Sequence, residues 1–188
     1  MEIDIEVSAK HIHLSREHIN QLFGEGYELS VLRELSQTGA FAAEESVDFV
    51  SEEGEGCKLR VVGPTRAQTQ IELSRTDAFE LGIEPSVRIS GDIENTPGGF
   101  LEGPRGRVGI KEGVIVAKRH IHIGEEKAEE KGLEDEQIVS VEIKGERGLI
   151  FNEVIVRVGQ NYKLSMHIDT DEANAAGIPS GGKGEIIV

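Results

Sequence analysis

The residues best equipped for chemistry in this chain are histidines, and they come in pairs. Lys10-His11-Ile12-His13-Leu14 and Arg119-His120-Ile121-His122-Ile123 each place two imidazoles either side of an isoleucine, and Met166-His167-Ile168 adds a fifth imidazole between apolar neighbours. Side chains of a strand alternate faces with a period of two, so both imidazoles of a pair share one face and the isoleucine is left for a core. The pairs use four of the six histidines. Imidazoles gathered in this way suit zinc or a similar borderline metal and are too nitrogen-rich for calcium or magnesium.

The second half of the chain repeats the first in outline. Val114-Ile115-Val116-Ala117-Lys118-Arg119-His120-Ile121-His122 echoes Ile5-Glu6-Val7-Ser8-Ala9-Lys10-His11-Ile12-His13, and Thr170-Asp171 echoes Thr76-Asp77. Glu72 and His167 lie just upstream of these echoing Thr-Asp segments and fall one position apart when the segments are aligned. Five histidines and a glutamate exceed the four ligands of one closed tetrahedral site, and two metals with open positions fit the count better. Arg66, in the turn Gly63-Pro64-Thr65-Arg66, offers a planar fork for a phosphate or carboxylate. His18 reads as a solvated helix histidine, since Lys127 takes its place in the second copy. Cys57 has no activating neighbour in sequence and is not expected to be a nucleophile.

These residues need short strands to hold them. Ile3, Ile5 and Val7 alternate with acidic residues as a half-buried strand, and Ser15 caps a helix over about 16–23 that ends at Gly24 or Gly26. Strands are expected over 29–35, 47–50, 58–62, 69–73, 87–89 and 114–117, with an acidic hairpin tip at 51–56. Helices are expected over 74–81 and 125–131, closed by Gly82 and Gly132. Asn95-Thr96-Pro97-Gly98-Gly99 and Gly103-Pro104-Arg105-Gly106-Arg107 read as turns. Short strands in two related copies predict a mainly β fold of two tandem small β-barrels with short capping helices and a metal site between them, not a doubly wound α/β sheet.

Composition narrows the function. The 188 residues carry a net charge of −15, which opposes binding to nucleic acid, while a local basic cluster could still hold a small anion. No apolar run is long enough to span a membrane, and the N-terminus alternates like a strand, unlike a signal peptide. One cysteine excludes an intramolecular disulfide and fits a reducing cytoplasm. On these grounds the chain is either a metalloenzyme that handles an anion or a metal-stapled binding module.

A family resemblance goes further. Val7-Ser8-Ala9-Lys10-His11-Ile12-His13-Leu14-Ser15, Gly63-Pro64-Thr65-Arg66, Gln70-Ile71-Glu72-Leu73-Ser74-Arg75-Thr76-Asp77-Ala78, Lys118-Arg119-His120-Ile121-His122 and Met166-His167-Ile168-Asp169-Thr170-Asp171-Glu172-Ala173-Asn174 resemble the PduL-type phosphate propanoyltransferases, in the family's order, from about Ile5 to the C-terminus. The resemblance implies reversible acyl transfer between coenzyme A and inorganic phosphate, with propanoyl or acetyl groups, at two zinc ions held between two β-barrels. It implies His11, His13, Glu72, His120, His122 and His167 as zinc ligands, Arg66 at the phosphate, and Phe79 near the adenine of coenzyme A. It implies a central barrel over 10–117 with a hairpin appendage near 45–60, and a C-terminal barrel over 118–188 completed by the strand at 1–9. It also implies a homodimer. Only seven residues precede Ser8, so an N-terminal microcompartment-targeting helix is not evident, and a free cytoplasmic enzyme is expected. A zinc-dependent thioester or phosphoester hydrolase would share the same metal site, and a non-catalytic zinc-stabilised module is the third reading.

Overall fold

The computed structural model describes residues 1–187 and is mainly β. In chain order the first elements are β1 (Glu2–Ser8), β2 (His11–His13), α1 (Arg16–Phe23), β3 (Val31–Glu34), β4 (Phe41–Val50), β5 (Gly56–Gly63), β6 (Gln70–Glu72), α2 (Arg75–Glu80) and β7 (Val87–Arg88). They continue with β8 (Gly99–Glu102), β9 (Arg107–Ile110), β10 (Val114–Ala117), β11 (His120–Gly124) and α3 (Glu125–Lys131). The last are β12 (Ile138–Ile143), β13 (Leu149–Gly159), β14 (Ser165–Asp169), α4 (Thr170–Ala176) and β15 (Gly182–Ile187). The chain divides into two compact units, one of Met1–Ala9 with Lys118–Val188 and one of Lys10–Ala117.

In the first unit six strands close a barrel in the order β1-β14-β11-β13-β12-β15. Strand β1 enters it parallel to β14 and antiparallel to β15. The alternation expected of β1 is the reason: Ile3 and Ile5 are 2% and 3% exposed and join Ile121, Ile123, Val141, Val154, Val156 and Met166 in one apolar core. The acidic residues between them face outward.

The second unit builds one sheet in the order β7-β10-β6-β2-β5-β4-β8-β9, with β3 also paired to β4. Of the two expected barrels one is therefore closed and the other is half formed. Its core gathers Ile12, Leu14, Ile19, Leu22, Phe49, Leu59, Val61, Ile71 and Leu101. Two departures from the expected strands have local causes. Residues 99–102 and 107–110 pair as the β8–β9 hairpin on either side of the turn expected at 103–107, strands that were not anticipated and that form because Leu101, Val108 and Ile110 are buried. Strand β4 begins at Phe41, well before the apolar run at 47–50, since pairing of its first residues to β3 and β5 outweighs the weak strand preference of Ala42-Ala43-Glu44-Glu45.

Candidate functional site

Strand β2 carries the first histidine pair. Ile12 is fully buried in the core of its unit, which turns His11 and His13 together to the opposite face. Antiparallel pairing with β6 then sets Glu72 directly across from His11 and Gln70 across from His13. His11 Nε2 lies 3.2 Å from His13 Nε2 and 3.6 Å from Glu72 Oε2, and His13 Nε2 lies 3.9 Å from Glu72 Oε1. Donors around a tetrahedral zinc with bonds of about 2.0–2.1 Å stand about 3.3–3.4 Å apart. The spacing therefore fits one such ion. Among the described residues these are the three metal-capable side chains whose ligand atoms all lie within 4.8 Å of one another.

The surroundings prepare these groups for a cation. His13 Nδ1 bonds the Val62 carbonyl at 3.0 Å, so its proton sits there and Nε2 is left as the bare donor. Burial first, then the neighbouring His11 and Arg66, pushes the His13 imidazole down to about 3. It is neutral at physiological pH, as a metal ligand must be. Burial works to raise Glu72, but His11, His13, Arg66 and the Ser90 hydroxyl outweigh it and hold the carboxyl at about 2. Glu72 Oε1 accepts from Gln70 Nε2 at 2.6 Å and from Ser90 Oγ at 2.9 Å.

Ser90 ties this cluster to Arg66. Its hydroxyl accepts from Arg66 Nη1 at 2.9 Å and from Gln70 Nε2 at 2.8 Å while donating to Glu72, and Arg66 Nη1 stands 4.0 Å from Glu72 Oε1. The Arg66 backbone is anchored by its N–H donating to the Leu14 carbonyl, at the end of the histidine strand. A half-buried guanidinium beside a pre-ionised donor set can hold an anion next to a metal. Neither Gln70 nor Ser90 was among the residues anticipated. Gln70 shares the Glu72 face at strand period, a signal present in the sequence; Ser90 arrives from a separate loop after β7 and has none.

The first unit gathers His120, His122 and His167. Strand β11 pairs antiparallel with β14 so that His120 faces His167 and His122 faces Ser165. The ring centroids lie 4.7 Å apart for His120 and His122, 5.2 Å for His120 and His167, and 4.9 Å for His122 and His167. His120 Nδ1 bonds the Lys118 carbonyl at 2.9 Å, which orients the ring. Ser165 Oγ lies 3.0 Å from His167 Nε2. The Tyr162 ring lies 4.3 Å from that of His122. The ring has space because Gly159 lacks a side chain; a Cβ there would come within 2.7 Å of it.

A family model described as phosphate propanoyltransferase matches residues 4–179, which takes in both histidine clusters and Arg66. The chain belongs to the phosphate propanoyltransferase family. It is 51% identical over 180 residues to the phosphate propanoyltransferase of Thermotoga maritima, covering 95% of this chain and 86% of that protein. It is 48% identical to that of Sebaldella termitidis, with 98% and 88% covered, and 44% identical to that of Listeria monocytogenes, with 98% and 87% covered.

Three further residues of this propanoyltransferase-family chain take definite places. Phe79, on α2, is 84% exposed, an aromatic face open to a planar ligand. His18 departs from its expected solvated state: it is half-buried, with Nδ1 2.7 Å from Thr69 Oγ1. Cys57 is half-buried, and burial pushes its thiol up to about 11, which leaves no thiolate to act as a nucleophile near neutrality. Among the described residues no helix is long and apolar enough to cross a membrane.

Proposed function

We propose that this protein transfers an acyl group reversibly between coenzyme A and inorganic phosphate, with propanoyl-CoA or acetyl-CoA as donor. The observation that carries the proposal is the Ser90 bridge, which puts the Arg66 guanidinium beside the His11–His13–Glu72 donor set. Two zinc ions would be held, one by His11, His13 and Glu72 and the other by His120, His122 and His167. Bound zinc supplies Lewis acidity toward the thioester carbonyl and keeps the departing sulfur as thiolate at neutral pH.

The chain's own residues supply orientation. Arg66 presents its fork to phosphate, which is already anionic and needs placement more than a strong base. Phosphate oxygen forms a bond to the acyl carbon as the carbon–sulfur bond breaks, giving acyl phosphate and coenzyme A. No protein side chain is acylated on the way, in keeping with the protonated Cys57 thiol. Exposed Phe79 offers a stacking face for the adenine of coenzyme A. The reading includes a homodimer and a cytoplasmic setting, the latter resting on the single cysteine.

The test is thiol release from propanoyl-CoA with and without phosphate, joined to metal analysis of the purified protein. The expected outcome is phosphate-dependent release with acyl phosphate trapped by hydroxylamine. Equal release without phosphate would make the protein a hydrolase, and a metal-loaded protein with neither activity would make it a zinc-stabilised module.

A further inference from the structure

Each unit repeats one device around its histidines, and the repeat extends past the ligands themselves. In the second unit β6 leads into α2, whose N-cap is Ser74 and whose third residue, Asp77, completes a capping box. In the first unit β14 leads into α4, whose N-cap is Asp169 and whose third residue, Glu172, completes the same box. Both boxes begin two residues after the cross-strand partner of a histidine, Glu72 in one case and His167 in the other. The structural match therefore aligns Asp77 with Glu172, and not with Asp171 as the Thr-Asp echo suggests.

In both boxes the acid divides its two oxygens in the same way. Asp77 Oδ2 accepts from the Ser74 backbone N–H at 3.3 Å, while Oδ1 pairs with Lys10 Nζ at 2.5 Å. Glu172 Oε2 accepts from the Asp169 backbone N–H at 3.2 Å, while Oε1 pairs with Arg119 Nε at 2.8 Å. Lys10 and Arg119 are the residues immediately before His11 and His120. Each ion pair thus joins the start of a His-x-His strand to the first turn of the helix that follows the strand supplying the third donor. The acids are 14% and 19% exposed and their bases 35% and 32%, so each pair is only partly sheltered from the screening that makes surface pairs weak.

We propose that Lys10–Asp77 and Arg119–Glu172 are positioning pairs, each fixing the spacing between a His-x-His strand and its cross-strand donor so that its own cluster binds metal tightly. The inference rests on the reading of the two clusters as metal sites. Backbone pairing sets each His-x-His strand against its donor strand over three positions only, His11–His13 with Gln70–Glu72 and His120–His122 with Ser165–His167, which leaves the end of that pairing open to shear. A charge pair across that end opposes the shear, and the capping box orients its acid. Independent recurrence in two cores with different acids, Asp and Glu, and different bases, Lys and Arg, argues that the link itself is what matters.

The experiment compares wild type with Asp77→Asn and Glu172→Gln, which remove the charge and retain atoms able to accept the capping hydrogen bond. Zinc affinity is measured by chelator competition on protein stripped of metal and reloaded, with circular dichroism and thermal unfolding of the metal-free form recorded in parallel. Outer-sphere partners of metal ligands change affinity by about 10–100-fold. The expected result is a loss of that size for one zinc equivalent in each variant, with the second equivalent unchanged, and retention of tight binding in Lys10→Arg, which keeps the pair. If Asp77→Asn does not fold, Glu172→Gln and Arg119→Lys carry the same comparison in the other unit. Unchanged affinity in folded variants, or equal weakening of both equivalents in step with thermal stability, overturns the proposal. A wild type that binds no zinc overturns the metal reading beneath it instead.

Discussion

Glu72 stands directly across the β2–β6 pair from His11, with its Oε2 3.6 Å from His11 Nε2. The carboxyl is nearly buried yet held at about 2, so it meets a cation already ionised. Glu72→Gln keeps the shape and the bonds to Gln70 and Ser90 within reach but deletes the charge. The expected outcome is a drop in zinc content from two equivalents toward one, with at least a 10-fold fall in affinity at the first cluster, the scale set even by outer-sphere changes. Mass spectrometry of the metal content after dialysis checks it. Retention of two equivalents would remove Glu72 from the ligand set.

Arg66 is held on two sides, by Ser90 at the guanidinium and by Leu14 at the backbone. A charge-assisted hydrogen bond is worth about 1.5–3 kcal/mol, which corresponds to about 10–100-fold in a rate ratio. Arg66→Ala is therefore expected to lower kcat/KM for phosphate by that factor with zinc content and fold unchanged. Arg66→Lys should recover only part of it, because a point charge lacks the planar fork. Initial rates against phosphate concentration decide, and normal phosphate kinetics in a folded, metal-loaded variant would reject the role.

The isoleucines inside the two pairs test the architecture that aims the histidines. Ile12 and Ile121 are both 0% exposed, each in the core of its own unit. Truncating a buried isoleucine to alanine costs about 2–5 kcal/mol, and to valine about 0.5–1.5 kcal/mol. Ile12→Ala should destabilise the Lys10–Ala117 unit within the first range by denaturant unfolding, and Ile12→Val should cost the smaller amount. Near-neutral alanine variants would show that these positions do not anchor the strands.

What the sequence made legible follows the range of the interactions. The His-x-His strands needed only the two-residue period of an extended chain, and α1 occupies 16–23 as its Ser15 cap and apolar spacing require. Helix α2 was legible for the same reason, since Ser74 and Asp77 cap it within one turn. Glu72 could be suspected from the repeat, but its place opposite His11 depends on a register set by two strands far apart in the chain. Ser90 was invisible because its contacts with Arg66 and Glu72 are made by folding alone. Of the β8–β9 hairpin the turn at 103–107 was legible from its Gly and Pro residues, while its four-residue strands were too short to stand out beside them.

Cys57 offers a separate check on the absence of a covalent intermediate. Burial leads the upward shift of its thiol to about 11, and Asp77, Asp48 and Glu80 add to it against the opposing charge of Lys10. At pH 8 the thiol is protonated, so disulfide reagents should modify the native protein slowly and the unfolded protein fast. Cys57→Ala should retain turnover within about twofold, a margin of roughly 0.4 kcal/mol in barrier height. A collapse of activity in a folded Cys57→Ala variant would put a thiol into the reaction.

His18 gives a pH signature away from the metal clusters. Its Nδ1 meets Thr69 Oγ1 at 2.7 Å, and the same oxygen accepts from the Ser15 backbone N–H at 2.9 Å, at the cap of α1. Desolvation holds the imidazole below its usual 6.5, only partly offset by Glu17. The folded protein therefore binds fewer protons at this position than the unfolded chain does. Its contribution is fully present above pH 6.5 and is lost as pH falls below that value toward the lower folded pKa. Substituting His18 with asparagine should remove this part of the acid sensitivity, which denaturant unfolding at pH 7.5 and 5.5 would read as a smaller stability difference than in wild type. The His18 ring proton resonances should titrate below 6.5 in the folded protein and move toward the ordinary value in Thr69→Val only if the hydroxyl contact keeps the ring in its half-buried place. A His18 titration at or above 6.5 in the wild type would show that the Thr69 contact does not hold the ring away from water.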